Sequence, residues 1–155
     1  MVTVSDGVAK GERADESGAV LEQLLREDGH EVVRRVVPDE RSEIAEAIEE
    51  LTDEFDLVLT TGGTGVAPRD VTPEATASVV ERQIPGIAEA IRVDAVARTP
   101  HGMLSRGISG VRGGALVVNF PGSPGGCRDG FAVVRDALPH AVRLIAGERG
   151  GHRQT

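Results

Sequence analysis

The sequence of 155 residues contains no tryptophan and no tyrosine, and aromatic residues make up only 2% of it. The core must therefore be built from Val, Ile, Leu and Ala, and aromatic stacking cannot be the main way in which the protein holds a planar ligand. The single cysteine, Cys127, excludes an internal disulfide. No Cys/His cluster is present to indicate a structural zinc site.

Basic residues and long apolar runs are also scarce. Lys10 is the only lysine, and 25 acidic residues against 17 Lys and Arg give a formal net charge of −8. This balance argues against a nucleic-acid partner, although local donors can still bind an anionic ligand. No run approaches the roughly 20 apolar residues of a membrane helix, and the N-terminus shows no signal-peptide pattern. We therefore expect a cytoplasmic protein with no membrane partner.

What the sequence does contain is an alternation of short β-branched runs with segments of helical periodicity. This alternation predicts an α/β fold with three α/β/α layers, Rossmann-like, whose central sheet is mostly parallel with one antiparallel edge strand. Since no repeat or linker interrupts the pattern, we expect a single domain over residues 1–147. The polar residues 148–155 are expected to form a flexible tail.

The apolar pattern also predicts the individual elements. Strands are expected at residues 2–5, 31–37, 56–60, 106–111 and 115–119. Helices are expected at residues 17–28, 41–54, 73–82, 85–98 and 126–146. Ser17 and Thr72 are predicted N-caps, and Pro139 should break or kink the last helix.

The strongest functional signal follows the third predicted strand, where residues 60–65 read Thr-Thr-Gly-Gly-Thr-Gly. In open α/β sheets, ligands bind at the carboxyl ends of strands, and glycines there let consecutive backbone N–H groups cradle an anion. The segment is neither a Walker P-loop nor a GxGxxG fingerprint. We interpret it as a ligand-binding loop, the alternative being a tight turn. The candidate ligand residues of this loop are Thr61, Gly62, Gly63, Thr64 and Gly65.

Two carboxylates are expected at the same rim. Asp70 ends the loop, where its charge would repel a phosphate unless a cation lay between them, and Mg²⁺ is usually held by one or two carboxylates together with substrate phosphates. The alternative is that Asp70 only caps the loop. Asp39 follows the second predicted strand and is either catalytic or the cap of the next helix.

Three further segments carry polar groups suited to phosphate. The segment 5–6 ends the first strand, and the segment 105–106 supplies a hydroxyl and a guanidinium. The segment 119–123 places N–H groups at the start of the last helix. Their candidate residues are Ser5, Asp6, Ser105, Arg106, Asn119, Pro121, Gly122 and Ser123.

In this order, the motifs resemble the MogA/MoaB-type molybdopterin adenylyltransferases of molybdenum cofactor biosynthesis. The most specific part is the segment 60–65 followed by Arg-Asp-Val-Thr-Pro-Glu-Ala-Thr at residues 69–76. Segments 5–6, 17–18, 37–40, 85–86, 104–106 and 119–124 complete the match, together with Gly11 and Asp15, and the resemblance extends from Val2 to about Gly147.

The resemblance implies that Mg-ATP and molybdopterin react to give adenylylated molybdopterin and pyrophosphate. It implies that Asp39 and Asp70 are the essential carboxylates and candidate Mg²⁺ ligands, with ATP as co-substrate. It also implies a homo-oligomer, a trimer or a dimer of trimers, and hand-over of the product to a molybdenum-insertion protein.

Two alternatives stay open. One is a non-catalytic pterin-binding paralogue or scaffold of the same pathway, which the presence of both Asp39 and Asp70 disfavours. The other is a nucleotide or pyrophosphate hydrolase, which rests only on the glycine loop and the acidic rim.

Overall fold

Residues 1–147, which the computed structural model describes, form a six-stranded sheet with helices packed on both of its faces. The predicted tail at residues 148–155 lies outside the described residues. The strands are β1 (Val2–Val4), β2 (Arg35–Val37), β3 (Leu57–Thr61), β4 (Arg82–Gln83), β5 (Ser109–Arg112) and β6 (Ala115–Phe120). The helices are α1 (Asp6–Ala9), α2 (Glu16–Glu27), α3 (Arg41–Glu54), α4 (Thr72–Val79), α5 (Pro85–Arg98), α6 (Pro124–Val134) and α7 (Ala137–Ile145), and a short 3-10 helix spans Pro100–Leu104.

The strands lie in the order β2-β1-β3-β6-β5-β4. Strands β2, β1, β3 and β6 are parallel to one another, whereas β5 pairs antiparallel with both β6 and β4. The predicted three-layer fold with a mostly parallel sheet is therefore confirmed. The antiparallel strand β5 is covered on its outer side by the two-residue strand β4.

Alternate residues of the central strands supply the two halves of the core. Leu59 of β3 and Val118 of β6 pack with residues of α2, α5, α6 and α7 on one face. Val58 and Val117 pack with residues of α3 and α4 on the other face. This follows from the period of two in a strand, which sends neighbouring side chains to opposite faces. Both central strands are apolar on both sides, as expected for parallel strands covered by helices.

The shorter elements differ from the prediction. The second strand covers only Arg35–Val37 rather than residues 31–37, because β2 is an edge strand whose pairing with β1 spans three residues. The helix predicted at residues 41–54 has these bounds in the structure, as α3. Helix α4, however, stops at Val79, and the predicted helical residues 80–82 lead instead into β4. Neither α1 nor the 3-10 helix was predicted.

Three helix starts also need correction. Helix α2 is capped by Asp15, whose Oδ1 accepts from the N–H of Gly18 at 2.9 Å, and not by Ser17. Thr72 is the first residue of α4, and its hydroxyl makes no cap. The predicted last helix is interrupted before Pro139, so that Pro139 lies in the first turn of α7, where its missing N–H leaves no intrahelical bond unmade. None of the helices within residues 1–147 has the length and apolar character needed to cross a bilayer.

Candidate functional site

Because they are parallel, β1, β2, β3 and β6 place their carboxyl ends at one edge of the sheet. Strand β2 lies on one side of β1 and β3 on the other, so the winding of the chain changes direction there. Such a switch point leaves a crevice beyond the strand ends. A cavity of about 460 Å³ opens there. The predicted site residues that line it are Ser5, Asp39, Gly62, Gly63, Asp70, Gly122 and Ser123.

A second cavity, of about 390 Å³, lies at the opposite ends of β1 and β3. Its lining is largely apolar and includes Leu25, Phe55 and Leu138. None of the predicted site residues borders it, so the chemistry of the chain points to the first cavity.

The glycine loop lies too close to neighbouring backbone and side-chain atoms to carry side chains at Gly62 and Gly63. Gly62 has a φ of 99°, and a Cβ on it would overlap the carbonyl oxygen of Val4. A Cβ on Gly122 would lie 3.1 Å from the Cα of Gly62, so the loops after β3 and β6 meet backbone to backbone. Gly63 has a φ of 65°, and a Cβ there would overlap the hydroxyl of Thr72. Only glycine adopts these conformations at little cost.

Buried hydroxyl groups hold this loop in place. Thr61 Oγ1 donates to the carbonyl of Pro121 at 2.7 Å. Thr72 Oγ1 donates to the carbonyl of Gly62 at 2.9 Å, and the N–H of Thr72 donates to the carbonyl of Gly63 at 3.1 Å. Thr61 and Thr72 are fully buried, so the predicted cap Thr72 instead anchors the loop, and Thr61 faces protein.

Arg106 was predicted to contact phosphate, and the structure places its guanidinium on the loop instead. It donates to the carbonyl of Gly65 at 2.6 Å and to that of Asp70 at 2.7 Å, and it forms an ion pair with Glu74. Its backbone N–H donates to the carbonyl of Thr64 at 2.8 Å. Arg106 therefore braces both ends of the segment that runs from the glycines to α4.

Asn119 is likewise committed to protein contacts. It is 3% exposed, and its amide nitrogen donates to the hydroxyls of Thr60 and Thr76 at 2.9 Å each. Its Oδ1 accepts from the N–H of Ile108 at 3.2 Å. With both of its amide donors used, Asn119 joins β6 to β3 and α4 and offers no donor to a ligand.

Of the remaining predicted site residues, some border the cavity and others do not. Ser105, which ends the 3-10 helix, does not border the cavity, and neither do Thr64 and Gly65. Ser123 lines the cavity and caps α6, its hydroxyl accepting from the N–H of Gly126 at 3.1 Å. The geometry therefore brings together the loops after β1, β2, β3 and β6 around the cavity, whereas the segment 105–106 does not border it.

Asp6 and Asp39 join the loops after β1 and β2 by a reciprocal pair of hydrogen bonds. The N–H of Asp6 donates to Asp39 Oδ2 at 2.8 Å, and the N–H of Asp39 donates to Asp6 Oδ1 at 3.0 Å. Arg69, from the loop after β3, donates to both oxygens of Asp6 at 2.8 and 3.0 Å and to Glu40 at 2.9 Å. The bonds from Arg69 lower the pKa of Asp6. Three loops are thereby tied together.

The carboxylate of Asp39 is held in an unfavourable place for a negative charge. Burial raises the pKa of Asp39 above its ordinary value, the charges of Asp6 and Asp70 raise it further, and the bond from the Asp6 N–H opposes them. Asp39 does not cap α3, whose N-cap is Glu40, so that alternative was wrong. Its Oδ1 faces the loop, 3.2 Å from where a Cβ on Gly63 would stand.

Asp70 makes the loop-capping contact that was the alternative to a role in binding Mg²⁺. Its Oδ2 accepts from the N–H of Ala67 at 2.9 Å. The same carboxylate lines the cavity and is close enough to raise the pKa of Asp39. Asp70 therefore holds its own loop and at the same time adds negative charge beside Asp39.

A divalent cation fits these two carboxylates only in combination with other ligands. Within residues 1–147, no group of three or more His, Cys, Asp or Glu side chains is arranged to hold a metal ion. Mg²⁺, however, commonly uses one or two carboxylates and completes its shell with water and substrate phosphates. Burial, with the charges of Asp6 and Asp70 added to it, raises the pKa of Asp39, and a bound cation would favour its ionised form.

Sequence reasoning missed the basic member of the cavity wall, Arg13, which lies between α1 and α2. It also missed Glu16, the first residue of α2, which borders the same cavity, whereas the neighbouring cap Asp15 belongs to the motifs that carry the family resemblance. No motif marks Arg13 or Glu16, and only their distance from Ser5 along the chain could have suggested them.

The sequence is similar to a known family and to proteins of known activity. The family model described as "Probable molybdopterin binding domain" matches residues 1–140. The molybdopterin adenylyltransferase of Helicobacter pylori is 38% identical over 152 residues, which cover 95% of this chain and 86% of that protein. The molybdenum cofactor synthesis protein cinnamon of Drosophila melanogaster is 38% identical over 159 residues, and this chain spans 26% of its length.

A solved structure gives the same result for the fold. The molybdopterin biosynthesis enzyme MoaB of Thermus thermophilus superposes with a TM-score of 0.88 at 44% identity, covering 94% of both chains. The sequence match and the structural match each extend over nearly the whole of the described chain. The chain therefore belongs to the family of molybdopterin binding domains.

Proposed function

We propose that the protein is a molybdopterin adenylyltransferase of molybdenum cofactor biosynthesis, which transfers AMP from ATP to molybdopterin and releases pyrophosphate. The observation that carries the proposal is the position of Asp39, a half-buried carboxylate that faces Gly63 of the glycine loop in the cavity that Asp70 also lines. A cavity that only bound an anion would gain nothing from two carboxylates in its wall, whereas phosphoryl chemistry uses such a pair to hold a cation.

The backbone around the cavity supplies the anion-binding groups, apart from the N–H of Gly62, which donates to the carbonyl of Phe120 at 3.3 Å. Gly62 and Gly63 both have positive φ, and Gly122 and Ser123 lead directly into α6. Exposed N–H groups in a glycine loop and at the N-terminus of a helix attract phosphate oxygens. We assign the phosphates of the two substrates to these two walls of the cavity.

The transfer step needs positioning more than it needs a protein nucleophile. An oxygen of the pterin phosphate forms a bond to the α-phosphorus of ATP, and the bond from that phosphorus to the bridging oxygen breaks, so that pyrophosphate leaves with the electron pair. Asp39 and Asp70 would hold Mg²⁺, which neutralises charge on the phosphates. The chain itself fixes both carboxylates through the N–H groups of Asp6 and Ala67, which orients them toward the loop.

One observation favours the non-catalytic alternative. The bond from the Ala67 N–H to Asp70 is what a purely structural loop cap would make. A pterin-binding paralogue would keep this bond without using Asp70 in a reaction. The alternative is therefore tested together with the main proposal.

We also propose that the protein forms a homo-oligomer, a trimer or a dimer of trimers, and that it hands its product to a molybdenum-insertion protein. Support for assembly comes from α5 and the 3-10 helix that packs on it. Val93 and Val96 of α5 are 71% and 39% exposed, and Met103 and Leu104 of the 3-10 helix are 65% and 49% exposed. Large apolar side chains left exposed on two helices that pack together favour an interface, which we assign to a second copy of the chain.

The decisive experiment is incubation with molybdopterin, Mg²⁺ and ATP labelled at the α-phosphate, followed by separation of the products. Label in an adenylylated pterin, with release of pyrophosphate, is the expected result, and a reaction without molybdopterin is the control. Pterin binding without transfer of label would establish the non-catalytic alternative. Release of label as AMP without any pterin would establish a hydrolase.

A further inference from the structure

Arg13 is a basic side chain at the wall of a cavity that is otherwise acidic. Four carboxylate residues line this cavity, namely Asp15, Glu16, Asp39 and Asp70. Within the described part of the chain, Arg13 is the only Lys, Arg or His that lines it. An anionic substrate that enters therefore meets one fixed positive side chain among several negative ones.

The charge of Arg13 is not used by a carboxylate of the protein. Among residues 1–147, no Asp or Glu lies within ion-pair distance of its guanidinium. Arg69 and Arg106, the other arginines of these loops, are both paired, with Asp6 and with Glu74. Arg13 thus differs from these two arginines, because its positive charge is not neutralised by a carboxylate of the described chain and can attract an anionic ligand.

The guanidinium is nevertheless held in one place. Its Nη2 donates to Ser5 Oγ at 2.9 Å, and the same oxygen accepts from the N–H of Val8. Its side chain crosses Gly7, since a Cβ on Gly7 would lie 3.3 Å from both Cδ and Nε of Arg13. A glycine at position 7 leaves room for this path. Of the five N–H donors of the guanidinium, only one is engaged by Ser5, and the others remain to bind an oxyanion.

We propose that Arg13 binds a phosphate oxygen of a substrate, with Ser5 as the residue that positions it. This inference rests on the proposed function, because it takes its ligand from the phosphates of that reaction. The fork of an arginine suits the paired oxygens of a phosphate. The pterin phosphate and the phosphates of ATP share this chemistry, and they are the two sources that the test distinguishes.

The test compares Arg13→Gln and Arg13→Lys with the wild-type protein in separate equilibrium titrations with Mg-ATP and with molybdopterin. Loss of one charged hydrogen-bonding group should weaken binding of one substrate by about 10- to 100-fold. The other substrate should keep its wild-type Kd. Arg13→Lys, which keeps the charge but not the fork, should lose less than Arg13→Gln. A loss confined to molybdopterin assigns the pterin phosphate, and a loss confined to Mg-ATP assigns the nucleotide.

Controls separate binding from packing. Arg82→Gln removes an exposed arginine of β4, outside the cavity, and should leave both Kd values unchanged. Ser5→Ala, which frees the guanidinium, should weaken the same substrate as Arg13→Gln, but by a smaller factor. The affinity of the wild-type protein for that substrate should also fall more steeply with salt than that of Arg13→Gln.

Two results would overturn the inference. One is an unchanged Kd for both substrates in Arg13→Gln. The other is an equal loss for both together with a lowered melting temperature, which would show that Arg13 only packs over Gly7. The proposed function is tested apart from this, by transfer of AMP in the wild-type protein. If no transfer occurs but a substrate still binds, the titrations with that substrate decide the role of Arg13 on their own.

Discussion

At the scale of single residues, Asp39 is a side chain whose ionisation the fold opposes, through burial and through the charges of two neighbouring carboxylates. A carboxyl group whose pKa is raised by folding favours the folded state below that pKa and loses this contribution as the pH rises through it. We therefore expect Asp39→Asn to melt at the same temperature as the wild type or higher at neutral pH, in the absence of Mg²⁺. Melting curves across the acidic range, where the two proteins should converge, check this.

The same Asp39→Asn variant should transfer AMP about 10²–10³ times more slowly, since a charge that acts in the transition state is gone. Greater stability with less activity would be the expected signature of a functional carboxylate. A variant that melts lower at neutral pH and still transfers AMP at the wild-type rate would instead show that Asp39 only joins the loops.

Asp70 is predicted to matter for turnover and not for affinity. Asn at position 70 still accepts from the N–H of Ala67, so the loop should keep its shape. Without the charge, single-turnover transfer should fall by about 10²–10³-fold. The Kd for molybdopterin should stay close to wild type, because loop amides carry that binding.

Measurement of Asp70→Asn at several Mg²⁺ concentrations completes the test. Asp136→Asn is the matched control, because the side chain of Asp136 makes no cap bond at the start of α7. A wild-type transfer rate in Asp70→Asn would remove the metal role and leave the structural cap as the whole function of this residue.

Residue roles were predictable only as far as position in the sequence decides them. Asp39 and Asp70 follow predicted strands, so their arrival at one rim could be foreseen. Arg106 and Asn119 were assigned to ligand from their chemistry, but a guanidinium or an amide serves protein carbonyls and hydroxyls equally well. Which partner it takes depends on packing from distant segments, and the sequence contains no local sign of that.

At the scale of elements, the glycine loop should tolerate substitution of its glycines poorly. Gly63→Val would require a β-branched residue at a φ of 65°, and its Cβ would overlap the hydroxyl with which Thr72 anchors Gly62. We expect binding of Mg-ATP and molybdopterin to be lost while the far-ultraviolet circular dichroism of the sheet and helices is retained. Titration of both ligands measures the effect.

Gly86→Ala is the control for this loop variant, since a Cβ there meets nothing within 4 Å. It should bind both ligands normally. If Gly63→Val did so as well, the loop could not be the phosphate cradle.

Helices with a full apolar stripe and the buried strands β1, β3 and β6 were predicted to within one residue, and the edge strands were not. Helices α3 and α5 have the predicted bounds, because Ile44, Ile48 and Leu51 in one and Ile87 and Ile91 in the other repeat at helical spacing. Strands β2 and β4 are exposed edge strands whose extent depends on the partner strand. Their sequences have no period that fixes where pairing begins.

At the scale of the whole molecule, the exposed apolar surface on α5 and the 3-10 helix leads to a test of assembly. Multi-angle light scattering at micromolar concentration should give the mass of a trimer or of a dimer of trimers. Val93→Glu should lower that mass, because it places a charge in the proposed interface. Val36→Glu changes an exposed valine on β2, at the opposite edge of the sheet, and serves as control. A stable monomer in the wild type would contradict the assembly.

The aliphatic core has an optical consequence. Phe120 and Phe131 are buried in it, Phe55 lies partly buried on the other face, and no other aromatic residue occurs in the sequence. Without tryptophan or tyrosine, the protein is almost transparent in the near ultraviolet and emits no indole fluorescence. The absorption of adenine and the absorption and emission of a pterin would then stand out from a nearly dark background, so that each chromophore reports its own arrival in the cavity without any attached dye.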